Sequence, residues 1–473
     1  MTVAVDGVHP PSPPTIRALA VAGLASSVGK TTVTLALAAA YRRRGLRVRC
    51  AKVGPDFIDP GFHARATGAP SRTLDAWMLP PALLRTTFAQ TGADADLVLV
   101  EGQMGLFDGL DGDSEAGSTG EVAKRLGLPV LLVVDASAQV RSAAAVVLGA
   151  ERFDPEVHLA GVILNRVGGE RHVNWLRAAL ARACATPVFG ALAWADGIRL
   201  PERHLGLVTA MEGRFSPDLF ERLADVAERS VDLDACLALA ASTVEPSVPP
   251  TPGRPTMRLG LAQDEAFQFY YADSLDALAR AGAEIVPWSP LRDPGPPDVD
   301  ALYLGGGYPE VHAGRLAANR TAREAVRAFA RDGRPVYAEC GGLMYLAEAL
   351  EDLDGAFHAM AGVLPVRVRM APPRLTIGYR EVRLAGDGPF GPAGTVLRGH
   401  EFHRSHLEPS PGHGPAPEAA YRMTDPTTGE TWTEGFRQGR TLASYAHLHL
   451  GSCPGAAEAF VADCLAARAG RPP

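Results

Sequence analysis

Lysine is almost absent from this chain: of 46 basic residues only Lys30, Lys52 and Lys124 are lysines, and arginine supplies the rest. Where lysine is kept, a compact point charge is wanted that a planar guanidinium does not replace. Two of the three fall inside the motifs below. Paired cysteines are missing as well. The six cysteines, at 50, 184, 236, 340, 453 and 464, show no Cys-x-x-Cys spacing, which argues against a disulfide framework and a structural zinc site. No apolar run reaches the roughly 18 residues that suggest a bilayer span. Excess positive charge is also lacking; a formal net charge of −7 makes no electrostatic case for nucleic acid or an anionic membrane as partner. The opening Met-Thr-Val-Ala-Val-Asp has no basic region ahead of an apolar core. No signal peptide is therefore expected, residues 10–14 read as a short disordered leader, and the expected location is the cytoplasm.

What is present is enough apolar sequence for two cores. At 473 residues the chain is too long for one ordinary domain. Residues 243–256 carry five prolines and almost no bulky apolar group, so they read as a linker that cannot form a packed element. Before it, short apolar runs at 18–25, 48–53, 97–101, 130–135, 162–165 and 188–192 alternate with helix-length segments. That alternation predicts a parallel sheet covered on both faces. After the linker the pattern repeats at 259–262, 285–288, 301–304 and 335–338, while 360–450 is richer in β-type residues and turns. The expected fold class is α/β, with domains at 15–242 and 257–473.

Gly23-Leu-Ala-Ser-Ser-Val-Gly29-Lys30-Thr31-Thr32 follows a strand and opens an alanine-rich helix, the context a phosphate loop requires. Backbone N–H groups would wrap the phosphates, Lys30 would neutralise them, and the Thr31 hydroxyl would ligate Mg²⁺. Five residues rather than the standard four separate Gly23 from Gly29, which puts Leu24 at the usual first-glycine position. Acidic residues then stand where magnesium and an acidic substrate would need them: Asp56 and Asp59 in Lys52-Val-Gly-Pro-Asp-Phe-Ile-Asp-Pro, and Glu101 and Asp108 in Val-Glu-Gly-Gln-Met-Gly-Leu-Phe-Asp-Gly. Glu101 closes an apolar strand, as the metal-holding acid of phosphate-loop enzymes does. An Asp-Pro turn and helix cap is the plainer reading of the Asp56/Asp59 pair. Asn165, at another strand end, is placed either to read an adenine edge or to make a turn.

The other end of the chain carries a candidate nucleophile. Cys340 ends the apolar run Pro-Val-Tyr-Ala-Glu-Cys and is followed by Gly341 and Gly342. A sharp strand-to-helix turn there would expose the sulfur, and the first helical N–H groups would favour the thiolate. Tyr-Leu-Gly-Gly-Gly-Tyr-Pro-Glu at 303–310, with Gly306 and Gly307 at its turn, suits an oxyanion site, to which Gly341 would add a second donor. His447, in Ser-Tyr-Ala-His-Leu-His, ends a strand as a general base should, with His449 its rival; the residue two beyond His447 is that histidine and not a carboxylate. His400-Glu-Phe-His403 lacks the spacing of a zinc-protease helix and reads as a strand or loop, either an interdomain or substrate-facing element or a satisfied structural histidine pair.

Together these stretches, with Leu-Asp-Ala-Trp-Met-Leu at 74–79 and Ala-Glu-Cys-Gly-Gly-Leu-Met-Tyr-Leu, resemble the cobyrinic acid a,c-diamide synthase family over about residues 17–455. The amino-terminal part resembles dethiobiotin-synthetase-like ATP domains, whose phosphate loop shares the extra spacer. The carboxy-terminal part resembles cobalamin-type class I glutamine amidotransferases. The resemblance implies that Cys340 and His447 hydrolyse glutamine and that ATP-Mg²⁺ phosphorylates the a- and c-acetate carboxylates of cobyrinic or hydrogenobyrinic acid. Ammonia then displaces phosphate. It implies an ATP site of Gly29, Lys30, Thr31, Thr32, Lys52 and Asn165, a metal site of Thr31, Asp56 and Glu101, and substrate contacts from Asp59 and Asp108. Another tetrapyrrole, such as nickel sirohydrochlorin, is an alternative substrate. A partition-type ATPase also carries Gly-Lys-Thr-Thr, but it has a second lysine five residues before the loop lysine, where this chain has Ala25. The expected partners are the corrinoid, glutamine and ATP, with a homodimer left open.

Overall fold

A computed structural model describes residues 15–193, 202–203, 206–207, 209–212, 216, 218–372, 375–410 and 418–470. Its first sheet joins Ala18–Gly23 (β1), Val48–Val53 (β2), Arg72–Leu74 (β3), Leu97–Glu101 (β4), Val130–Asp135 (β5), Leu159–Val167 (β6) and Val188–Ala193 (β7). The order is β3-β2-β4-β1-β5-β6-β7, and every pair is parallel. Ala18, Ala20 and Ala22 face one core, while Leu19 and Val21 face another beneath the helix Lys30–Arg43. Helices on both sides are why these strands read as unbroken apolar runs. Sequence patterning missed β3, whose three residues Arg-Thr-Leu carry too little apolar signal. Because β1, β2 and β4 are neighbours, the turns after their carboxyl ends converge on one edge, where parallel sheets gather ligands.

A second sheet has ten strands. Its parallel half runs Ala283–Trp288, Met257–Ala262, Ala301–Leu304, Val336–Glu339 and Thr441–Ser444. It continues antiparallel through Thr431–Gln438, Glu418–Thr424, Thr376–Leu384, Val396–His403 and His447–Leu448. The α/β class holds in both halves. The antiparallel arm was legible only as a β-rich composition. Ser444 and His447 lie in the fifth and tenth strands of the order, yet three residues span at most about 11 Å. Five strand spacings laid flat would need about 24 Å. The arm must therefore curl back, and that curl returns His447 to the strand that ends at Cys340.

The expected linker is not wholly unpacked. Val244 is buried in the first core, and Thr243 and Ser247 donate their N–H groups to the carbonyls of Leu126 (3.2 Å) and Ala89 (3.1 Å). One apolar side chain among the prolines suffices to seat the segment. The two halves meet through polar pairs: Arg72 with Asp273 and Asp276 (2.7 Å each), Tyr379 Oη donating to Asp75 Oδ2 (2.7 Å), and Arg398 Nη1 donating to the Trp77 carbonyl (2.6 Å).

The turn at Cys340 is closely packed. A β-carbon on Gly342 would collide with the Leu304 carbonyl. Gly342→Ala is expected to destabilise the protein by about 1–3 kcal/mol. Gly149→Ala, in a helix with nothing within 4 Å of the new carbon, should stabilise it by about 0.5–1 kcal/mol. Thermal unfolding of the two variants checks the opposite signs.

Candidate active site

The helix Lys30–Arg43 starts directly after Gly29, whose backbone is left-handed at φ 101°. A β-carbon there would also strike the Asn165 amide, so only glycine fits. Lys30 folds back over the loop and donates from Nζ to the carbonyls of Ala25 (2.9 Å) and Met104 (2.6 Å). Burial, reinforced by the Lys52 charge, lowers its ammonium to about 8. It remains a cation at neutral pH but a poorly hydrated one, which phosphate oxygens would satisfy. Asn165 Nδ2 donates to the Val28 carbonyl at 2.8 Å and braces the loop from the end of β6.

Lys52 faces Glu101 across the β2/β4 register. Its Nζ lies 2.6 Å from Asp59 Oδ2, 3.0 Å from Glu101 Oε1 and 3.7 Å from Asp56 Oδ2. Thr31 Oγ1 donates to Glu101 Oε1 at 2.7 Å, and His63 Nε2 meets Glu101 Oε2 at 2.7 Å. Burial opposes the charge of Glu101, but Lys52 and His63 outweigh it and hold the carboxylate well below its usual range. Burial would likewise discharge Lys52, yet Asp59, Glu101 and Asp56 keep its pKa high. Asp59 is pushed upward by burial and by Asp56 and Glu101. Three carboxylates share one ammonium, and a divalent cation would neutralise the surplus. Among the described residues no three His, Cys, Asp or Glu side chains form a metal cage. A magnesium carried on a nucleotide needs none, because it takes one or two carboxylates with phosphate oxygens and water. The oxygens of Thr31, Glu101 and Asp56 fit that demand. Asp108 is placed differently: its Oδ2 accepts the Gly105 N–H at 2.8 Å and closes a turn, and Gly109 and Leu110 line the neighbouring cavity in its stead.

Cys340 sits between the strand Val336–Glu339 and the helix Gly341–Leu346 with φ 47° and ψ −101°, a costly conformation for a residue with a side chain. Its N–H donates to the Ser444 carbonyl at 2.7 Å. The expected stabilisation of a thiolate by the helix start is corrected by the structure. Burial and then Glu310 outweigh the Gly341 N–H and push the thiol well above its usual range, and the helix has only six residues. Proton removal must come from a base. His447 is 1% exposed, and burial, followed by the His403 charge, lowers it to about 3, so it is a neutral acceptor at ordinary pH. Gly306 leaves no room for a β-carbon against the His447 ring, and a β-carbon on Gly341 would come within 3.0 Å of the Gly307 nitrogen. His449 turns elsewhere: its Nδ1 accepts the Gly451 N–H (3.1 Å) and its ring packs on Tyr271.

A single cavity of about 1380 Å³ includes both ends: Gly29, Lys30, Thr31, Thr32, Lys52, Asp56, Asp59, Glu101 and Asn165 line it together with Gly307, Cys340 and His447. His400, Glu401, Phe402 and His403 line it too, while Arg398 of the same strand bonds Trp77, so the strand is both interdomain and cavity-facing.

Residues 19–208 match the CobQ/CobB/MinD/ParA nucleotide binding domain, and residues 258–454 match the CobB/CobQ-like glutamine amidotransferase domain. A cobyrinate a,c-diamide synthase of Syntrophotalea carbinolica is 49% identical over 452 residues, 94% of this chain and 98% of the relative. One from Salmonella typhimurium is 43% identical, covering 93% and 96%, and a hydrogenobyrinate a,c-diamide synthase of Mesorhizobium japonicum is 44% identical, covering 92% and 98%. The chain belongs to the cobyrinate and hydrogenobyrinate a,c-diamide synthase family. The partition-type ATPase alternative falls with this, because the relatives span both halves.

For a member of this family, the residue that motif reading missed is Glu339. Its Oε2 lies 3.9 Å from His447 Nδ1, a nitrogen with no hydrogen-bond partner among the described residues. The position two beyond His447 holds no carboxylate, whereas Glu339 immediately precedes Cys340 and arrives beside the histidine by strand pairing. A glutamate at the end of a buried strand was its only sequence signal. Glu339 accepts from Tyr337 Oη (2.6 Å), Tyr303 Oη (2.8 Å) and Leu448 N–H (2.9 Å), yet burial pushes it up to about 7.

A raised folded pKa means that this group's contribution to stability is complete below its ordinary value and is lost as pH rises through about 7. Glu339→Gln should therefore lose less stability than the wild type between about pH 5 and 8, by up to roughly 3 kcal/mol. Denaturation curves across that range are the check. Parallel pH profiles would show that Glu339 is charged throughout.

Proposed function

We propose that the protein amidates the a- and c-acetate carboxylates of cobyrinate or hydrogenobyrinate in cobalamin biosynthesis, with ATP as activator and glutamine as nitrogen donor. The observation that carries this reading is the one cavity lined by both Cys340 and Lys30. His447 takes the Cys340 proton, and the sulfur attacks the glutamine side-chain carbonyl. Backbone N–H groups of Gly307 and Gly341 receive the oxyanion, and Gly306 makes room for the base. Collapse forms a thioester and releases ammonia, and water then releases glutamate.

At the other end the acceptor carboxylate attacks the γ-phosphorus of ATP, giving an acyl phosphate and ADP. Gly29, Lys30, Thr31 and Thr32 would hold the phosphates, Lys52 would steady the transferring group, and Asn165 would meet the adenine with the amide hydrogen it does not give to Val28. Thr31, Glu101 and Asp56 would hold magnesium, which supplies neutralisation of charge on the phosphates. Asp59 would face the acceptor; Asp108 would act by shaping its turn. Ammonia attacks the acyl carbon and phosphate leaves, with the walls of the shared cavity limiting the nucleophile's contact with water and protons. In this reading residues 15–242 form the synthetase unit, 243–256 the linker and 257–473 the glutaminase unit, working in the cytoplasm where ATP and glutamine are supplied.

Incubation with ATP, Mg²⁺ and glutamine against cobyrinate, hydrogenobyrinate and nickel sirohydrochlorin, followed by mass spectrometry, tests the substrate. Two successive hydroxyl-to-amino exchanges on one of the first two are expected. No amidation of any would sink the proposal. Cys340→Ala should abolish amidation from glutamine and keep it from ammonium chloride. Glu101→Gln should lower amidation from either nitrogen source by roughly 10²–10³-fold, the loss typical of removing one group that stabilises transition-state charge.

A further inference from the structure

One aromatic side chain joins the two reaction centres without taking part in either. Phe57 lies between Asp56 and Asp59. Asp56 Oδ1 accepts the N–H groups of Ile58 (2.8 Å) and Asp59 (3.1 Å), and both carboxylates answer to Lys52 Nζ, at 3.7 and 2.6 Å. The backbone of Phe57 is thus fastened on either side to the acidic cluster. Its ring reaches into the other half of the chain. It stacks on Phe269 (5.3 Å, 10°) and packs on Tyr271 (4.7 Å), His400 (5.5 Å) and His447 (5.0 Å).

His447 has few other restraints. Its ring lies nearly parallel to His400 at 5.0 Å, and Gly306 closes one edge. Its Nδ1 has no hydrogen-bond partner among the described residues. The ring is therefore held by packing on Phe57, tilted at 48°, and on the nearly parallel His400, and not by a hydrogen bond at that nitrogen. We propose that Phe57 is a positioning residue that couples occupancy of the acidic cluster to the orientation of His447, so that glutamine is hydrolysed fast only when the acceptor site is filled. This rests on the function proposed above. Phosphates and a divalent cation compete with Lys52 for Asp56, Asp59 and Glu101, shift the turn that carries Phe57, and move its ring against the imidazole. Such coupling between two sites is typically worth about 5–150-fold.

The test uses the full-length wild type, Phe57→Ala and Phe57→Tyr. Glutamate release is measured with glutamine alone and again with ATP, Mg²⁺ and cobyrinate added, and amide formation is measured in parallel from glutamine and from ammonium chloride. Wild type and Phe57→Tyr should be stimulated by about 5-fold or more, and Phe57→Ala by less than about 2-fold. Ammonium-driven amidation should survive in all three, so Phe57→Ala should consume more glutamine per amide formed. If Phe57 only fills space, truncation lowers basal and stimulated rates together and leaves their ratio unchanged; that ratio, or an unstimulated wild type, overturns the inference alone. A wild type that neither releases glutamate nor forms amide overturns the proposed function and this inference with it.

Discussion

Lys52 is 2% exposed, and its ammonium holds together the edge on which everything else is built. A buried ammonium is tolerated only when paired, and this one meets carboxylates from three places: Asp59 on the helix Ile58–Thr67, Asp56 on the turn before it, and Glu101 at the end of β4. Removing one partner of such a pair costs about 3–5 kcal/mol. The arrangement therefore fixes the turn at residues 54–59 while leaving it sensitive to any competing cation. Arginine would serve poorly here, because a planar fork would crowd a site whose oxygens approach one nitrogen from different directions. The survival of lysine at this position in an arginine-rich chain has a geometric cause.

The same turn connects the acidic cluster with the cysteine. Its carboxylates face Lys52, and its aromatic ring rests on His447. Burial pushes the Cys340 thiol up and the His447 imidazole down, so both side chains are neutral at ordinary pH. Cys340 is held at φ 47°, and glycine at 306 and 341 leaves room for the His447 ring and for the Gly307 backbone nitrogen. Cys340 and His447 are both buried side chains in the wall of the shared cavity. Interdomain polar pairs such as Tyr379 with Asp75, whose carboxyl burial raises to about 6, keep the two walls in register.

Much of this is legible in the sequence. The phosphate loop, the run of parallel strands, Glu101 at a strand end and Cys340 ahead of two glycines are local patterns, and local patterns survive in one-dimensional form because neighbours in the chain create them. Reading was weaker where the signal was spread out. The strand Arg72–Leu74 was too short to show a period, and Val244 was hidden by the prolines around it. The motif around Asp108 did not show that its carboxylate also closes a turn by accepting the Gly105 N–H.

The sequence by itself determined the chemical parts: a phosphate loop, acidic residues at strand ends, a cysteine ahead of two glycines and a distant histidine, because each depends on residue type and on spacing within a few positions; that Cys340 is buried and not exposed is a correction the fold supplied. Only the tertiary structure decided how they meet. The curl of the antiparallel arm brings His447 to the cavity that Cys340 also lines, strand pairing brings Glu339 to within 3.9 Å of that histidine, and Phe57 crosses from one half of the chain to the other. Those contacts join residues tens to hundreds of positions apart, and their existence depends on the order and twist of whole sheets, which no short stretch of sequence encodes.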